Sequence, residues 1–158
     1  ERWSKLTTNS VGNPVGAMTG LASQQFAKDP RARLIQVQIG KETCQVGLAL
    51  NVNIAPVSGK AAPTWANADD GEVFEELDST FQPKPNSSDW RSSMAQDVVK
   101  GRHSEIEYMN GYTVRLGREL GIATPVSAAI VNVVMQIDAG TLTPDPSNVE
   151  LVLSMAGL

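Results

Sequence analysis

The segment Gly101–Pro125, GRHSEIEYMNGYTVRLGRELGIATP, carries a helix start signal, a periodic interior and a stop signal in that order, which leaves few folds open. Ser104 and Glu107 form the S-x-x-E pattern of a capping box. The serine side chain accepts from a first-turn amide, and the glutamate reaches back to the serine's own amide. Ile106, Met109, Thr113, Leu116 and Leu120 recur at three and four residues, so the spacing predicts a helix with these on one face. Gly121 predicts a left-handed stop. Thr124-Pro125 predicts a new N-cap with proline at the first helical position. Glu105 falls in the first turn of the expected helix, where the backbone dipole favours a carboxylate. Two readings are open for it: dipole complementation on a solvated surface, or a carboxylate aimed into a cleft.

The rest of the chain reads as helices too. Glu1–Met18 predicts two short helices meeting at Asn13-Pro14, because proline cannot continue a hydrogen-bond ladder but can open a new one behind an asparagine cap. Trp3, Leu6, Val11, Val15 and Met18 supply its apolar side, and Lys5, Asn9 and Asn13 stack at four-residue intervals on another. A polar stripe of this kind suits either water or a substrate cleft. Arg31–Leu50 predicts a long helix with Leu34, Val37, Cys44 and Leu48 among its apolar positions, ended by Asn51. Gly40 and Gly47 would each weaken it by roughly 1 kcal/mol relative to Ala, unless another helix packs closely there. Asn53–Gly71, rich in Pro, Gly, Ala and Asn, reads as a loop, and Glu72–Phe81 as a short amphipathic helix with Val73, Leu77 and Phe81 inward. Pro83–Asp89 reads as a connector. A short helix runs to Lys100 behind Ser93, which suits an N-cap, and a serine at a helix start is also placed to touch an anion. Pro125–Ala139 reads as an apolar helix ended by Gly140, and Val149–Met155 fits either a short helix or a strand.

Composition narrows the function classes. The 158 residues suffice for one domain with a core, and 41% apolar with 19% charged residues is ordinary for a globular chain. A net charge of −4 argues against a nucleic-acid partner, which wants a basic face. The longest apolar run, Val126–Ile137, is too short to span a bilayer. One Cys and one His exclude an internal disulfide and a common zinc site. Cys44 reads as a buried helical cysteine in preference to half of a thiol–imidazole pair with His103. There is no G-x-G-x-x-G phosphate loop. The chain starts abruptly on a helical, tryptophan-containing segment, without Met or a secretory leader, which suggests a fragment of something longer.

Three segments carry a family resemblance. GRHSEIEYMNG…RLGRELGIATPV is similar to the C-terminal signature of ketopantoate reductases, G-R-x-T-E-I-D-x-x-N-G followed by R-L-G-R. WSKLTTNSVGNP resembles the W-x-K-L-x-x-N-x-x-x-N-P segment that opens the C-terminal domain of the same family. SSMAQD resembles its S-S-M-x-Q-D segment, and Ser93 lies twelve residues before Glu105, as in the family. Ser104, Glu107 and Ser127 depart from the usual threonine, aspartate and asparagine.

The resemblance implies an all-α fold over residues 1–158, of the 6-phosphogluconate dehydrogenase C-terminal type, normally preceded by a Rossmann domain that holds NADPH. It implies reduction of 2-dehydropantoate to pantoate in pantothenate biosynthesis by a cytoplasmic enzyme, with no metal, no nucleic acid, no membrane and a possible homodimer. By the same resemblance, Lys5 polarises the ketone and donates a proton, and Asn9 and Asn13 hydrogen-bond the substrate. Ser93 binds its carboxylate, and Glu105 holds its hydroxyl and orders the nicotinamide end of the cofactor. A related 2-keto acid or imine reductase, or a helical dimerisation module without catalysis, are the alternatives.

Overall fold

A computed structural model describes residues 1–158, and every regular element in it is helical. Helix α1 (Arg2–Thr19) is followed by a short α2 (Ser23–Phe26) and the long α3 (Pro30–Ala49). Two further helices, α4 (Ala62–Ala66) and α5 (Gly71–Phe81), lead to α6 (Ser93–Val99). A single 3-10 turn, Ile106–Tyr108, precedes α7 (Asn110–Leu120), α8 (Pro125–Asp138) and α9 (Asn148–Ala156). The all-α expectation holds, and the ambiguous Val149–Met155 segment is helix. No helix is long and apolar enough to cross a membrane.

Helix α3 is the hub, packed by α1, α4, α5, α7, α8 and α9. It is buried on several faces and feeds two clusters. Ile35 and Ile39 join Val11, Val15 and Met18 of α1 and Ile130, Val133 and Val134 of α8 in the main core. Val37 and Cys44 face a smaller cluster built on Trp65 and Leu77. Leu48, expected inward, is exposed at the helix end.

The two glycines of α3 are there for close approach. A β-carbon at Gly40 would overlap the indole of Trp65, and one at Gly47 the indole of Trp3. The saving of packing space offsets the propensity cost. Trp65 lies in the segment expected to be loop. Instead α4 forms there, with the indole fully buried, its N–H donating to the Val57 carbonyl at 3.2 Å. At the end of α3, Asn51 adopts φ +55°, the left-handed stop its residue type allows.

Further local expectations fail, each for an identifiable reason. First, α1 runs through Pro14 as one helix rather than two. Proline leaves the Ser10 carbonyl without its usual donor four residues on. The buried Asn110 side chain of α7 supplies one, Nδ2 to Ser10 O at 3.1 Å. The Ser92 hydroxyl donates to the Asn13 carbonyl, one turn on, at 3.3 Å.

Second, Ser104 caps nothing. Its hydroxyl donates to the Asp138 carboxylate at 2.6 Å, so no capping box forms with Glu107. The expected long helix splits into the 3-10 turn and α7, with Met109 at φ −107°, ψ −94° between them. The inward face of α7 is Asn110, Thr113, Val114 and Gly117, while Leu120 is exposed. Third, Ser92 rather than Ser93 caps α6, accepting from the Ala95 amide at 3.1 Å.

The expected glycine stops form: Gly121 and Gly140 both take positive φ. Thr124 precedes Pro125 as expected but makes no side-chain cap. The cap comes from α3. The carboxylate of Glu42, 2% exposed, accepts from the Val126 and Ser127 amides at 2.8 Å each. Burial pushes the Glu42 carboxyl above its ordinary range, against the pull of these two amides.

Candidate active site

The α1 stripe and the segment before α7 meet in one cleft. Asn9 and Asn13 stand a turn apart on α1. Helix α6 lies against α1, and the Ser92–Asn13 hydrogen bond fixes its start there, so Ser93 at its first helical position opens onto the same space. Glu105 arrives from the other side. The Ser104–Asp138 bond pins its neighbour on one flank, and the buried Ile106 side chain anchors it on the other.

The result is a recess of about 70 Å³ lined by Asn9, Asn13, Ser93, Met94, Asp97, Glu105 and Met109. Four of the five expected residues are therefore brought together. Lys5 is not in the lining. It is exposed, one helical turn before Asn9 on the same stripe.

None of these five side chains is committed to a hydrogen bond or ion pair within the chain. Asn9 and Asn13 are half-buried, whereas Ser93 and Glu105 are exposed. Elsewhere Arg33, Lys41, Lys60 and Arg31 are paired with carboxylates. The recess thus offers two amides, a hydroxyl and a carboxylate with free hydrogen-bonding capacity, and an exposed ammonium lies one helical turn away on α1. That set suits a small ligand carrying a carboxylate, a carbonyl and a hydroxyl.

Asp97 was not singled out from the sequence. It adds a second carboxylate to the wall, and only the i, i+4 relation to Ser93 on a helix face could have signalled it. Cys44 plays no part. It is buried beside Trp65, and burial pushes its thiol up to about 12, while His103 sits exposed near Asp138. No group of His, Cys, Asp and Glu side chains is arranged to hold a metal ion.

A second, larger space adjoins the recess and shares Asn9 and Asn13 with it. It measures about 320 Å³ and lies between α1, α2 and the end of α5, walled by Phe26, Phe81 and Trp90 and reaching Gln36 of α3.

Comparison with known proteins gives a consistent result. Residues 1–138 match the family model described as ketopantoate reductase PanE/ApbA C terminal. A 2-dehydropantoate 2-reductase of Pyrobaculum aerophilum is 29% identical over 135 residues, covering 84% of this chain and 41% of that enzyme. The crystal structure of a PanE/ApbA family ketopantoate reductase from Ralstonia eutropha superposes with a TM-score of 0.65 at 25% identity, over 88% of this chain and 41% of that one. A D-mandelate dehydrogenase in ternary complex with NADH and anilino(oxo)acetate superposes with a TM-score of 0.68 at 23% identity, over 88% of this chain and 40% of that one, a likeness of fold. The chain spans about two fifths of the length of the curated relatives it matches.

Proposed function

Since the chain belongs to the ketopantoate reductase C-terminal family, we propose that it is the substrate-binding and catalytic half of an NADPH-dependent reductase of 2-dehydropantoate, working with a Rossmann domain that precedes it. One observation carries this reading: Asn9, Asn13, Ser93 and Glu105 converge on one recess with their side chains uncommitted, and Lys5 stands a turn away.

The recess is too small for a dinucleotide, and no glycine-rich phosphate loop occurs in the chain. On this reading the cofactor body belongs on the other domain, and Glu105 meets its nicotinamide end. When bound, NADPH supplies the hydride.

This chain's residues do the rest. The Lys5 ammonium, swung over the mouth, polarises the ketone and delivers a proton to the oxygen as it becomes an alkoxide. The Asn9 and Asn13 amides orient the substrate, and the Ser93 hydroxyl donates to its carboxylate. The Glu105 carboxylate accepts from the substrate hydroxyl. Ordering several groups of one small molecule at once is where most of the rate gain comes from. The chain by itself, without a cofactor-binding domain, is expected to be inactive.

The test is kinetic. The longer protein that includes the nucleotide-binding half should oxidise NADPH when given ketopantoate. Lys5→Ala should cut kcat by about 10²–10⁴, the usual worth of a general acid, with an unchanged melting temperature. Full turnover in that variant refutes the assignment.

A related reductase acting on a bulkier 2-keto acid is the second reading. It is favoured by the aromatic-walled space beside the recess, and a panel of 2-keto acids on the same protein separates the two.

A further inference from the structure

Glu105 reaches the recess on a strap with little backbone support. Helix α6 ends at Val99, and Gly101 turns the chain at φ +68°. The Arg102 amide donates to the Asp97 carbonyl at 2.8 Å, but the amides of His103, Ser104 and Glu105 find no backbone acceptor. Backbone pairing resumes where the Tyr108 amide donates to the Glu105 carbonyl at 3.0 Å. A segment with so few backbone hydrogen bonds is not held in one place by its own conformation.

A side chain from a distant helix holds it. Asp138 is the last residue of α8, and its side chain is 2% exposed. Its Oδ2 accepts from the Ser104 hydroxyl at 2.6 Å and from the Ser104 amide at 3.3 Å. The exposed His103 imidazole lies 4.0 Å from the same oxygen. Ser104 is itself buried, so both bonds lie out of water. Helix α8 is a firm base for them. Glu42 holds its first amides, and Ile130, Val133 and Val134 sit in the main core.

This is a costly place for a carboxylate. The helix dipole disfavours negative charge at the C-terminal end of α8, and Asp138 Oδ1 is buried with no hydrogen-bond partner. A supporting group kept at such a cost is what a site needs to hold a working side chain to its geometry.

We propose that Asp138 is a positioning residue of the cleft: through Ser104 it fixes the strap so that Glu105 stands in the recess wall, within reach of the substrate hydroxyl. Asp138 is not in the recess lining, and it acts only through Ser104. The inference rests on the reading of Glu105 as a substrate-binding group and adds the residue that keeps it in place.

The test is a double-mutant cycle in the longer protein with its nucleotide-binding half, assayed with NADPH and ketopantoate. Asp138→Ala should lower kcat/KM by about tenfold or more, since a displaced binding group can cost up to about 10²-fold. In a Glu105→Gln background the same change should cost less than about twofold, because the group it positions is already gone. Asp138→Asn keeps an acceptor for Ser104 and should stay within about threefold of wild type. Ser104→Ala deletes the hydroxyl alone, should show the same dependence on Glu105, and decides the matter where Asp138→Ala does not fold. Equal losses in both backgrounds, an Asp138→Asn variant as impaired as Asp138→Ala, or a lowered melting temperature with kcat/KM intact overturns this inference alone. Wild-type kinetics in Glu105→Gln, or no turnover by the unaltered protein, overturns the reading of the recess and this inference with it.

Discussion

Two carboxylates near helix starts, Glu42 and Glu105, sit in regions built on opposite principles. At the α3–α8 junction, Glu42 is buried and both its oxygens are occupied by the first amides of α8. At the cleft between α1 and α6, Glu105 is exposed and none of its capacity is used, and the same holds for Asn9, Asn13 and Ser93 around it. The Glu42 carboxylate is satisfied within the chain, whereas the groups around Glu105 are open to solvent or to a ligand. On the reading proposed above, that difference separates a structural carboxylate from a functional one more sharply than residue type or position on a helix.

The comparison is tested hardest by removing Glu42. Glu42→Ala orphans two buried amides and leaves a void, so it should cost roughly 2–6 kcal/mol at about 1–3 kcal/mol per unmet donor. A urea melt reads this directly, and a loss below about 1 kcal/mol would dissolve the contrast. The pH dependence carries a second signature. Burial holds the folded-state value of Glu42 above its ordinary one. The folded protein therefore binds that proton more tightly than the unfolded chain does. The associated stability is fully present below the ordinary carboxylate value and is lost as pH rises through the raised one. Urea midpoints from about pH 4 to about pH 7 should show this slope in the wild type and lack it in Glu42→Ala.

The next effects come from close packing and from the spanned proline. Gly40→Ala drives a methyl into the Trp65 indole and should cost about 1–3 kcal/mol, the range for overpacking. Asn110→Ala removes the donor to the Ser10 carbonyl and should cost about 1–3 kcal/mol. The diagnostic result is the double variant. With Pro14→Ala, residue 14 regains an amide that can satisfy Ser10, so Asn110→Ala in that background should cost clearly less. Equal cost in both backgrounds, by chemical denaturation, would detach Asn110 from Pro14.

These elements show why some features were legible in the sequence and others were not. Helix existence, glycine stops and the α3 and α8 spans follow from periodicity and from residue types with few conformational options, and they were read closely. What failed depended on partners distant in sequence. Pro14 reads as a helix boundary until Asn110 is known to be beside Ser10. Ser104 reads as a cap until Asp138 is known to lie within reach. Thr124 reads as the cap of α8, but Glu42 holds that role from α3. The loop between α3 and α5 hid α4, whose reason to form is a cavity that Gly40 opens for Trp65. In the cleft, the four-residue stripe on α1 is visible in the sequence, whereas Asp97 acquires meaning only from the wall it shares with Glu105.

The smallest expected effects sharpen the comparison most. Glu105→Gln, Asn9→Ala and Ser93→Ala break no hydrogen bond within the chain, so each should shift stability by no more than about 0.5 kcal/mol. In the longer protein Glu105→Gln should lower kcat/KM for the 2-keto acid by about tenfold or more, as expected for a lost charged hydrogen bond worth about 1.5–3 kcal/mol. A variant that keeps its melting temperature and loses turnover separates Glu105 from Glu42. One that melts early with kinetics unchanged would place Glu105 among the structural carboxylates, and the uncommitted side chains around it would then need another explanation.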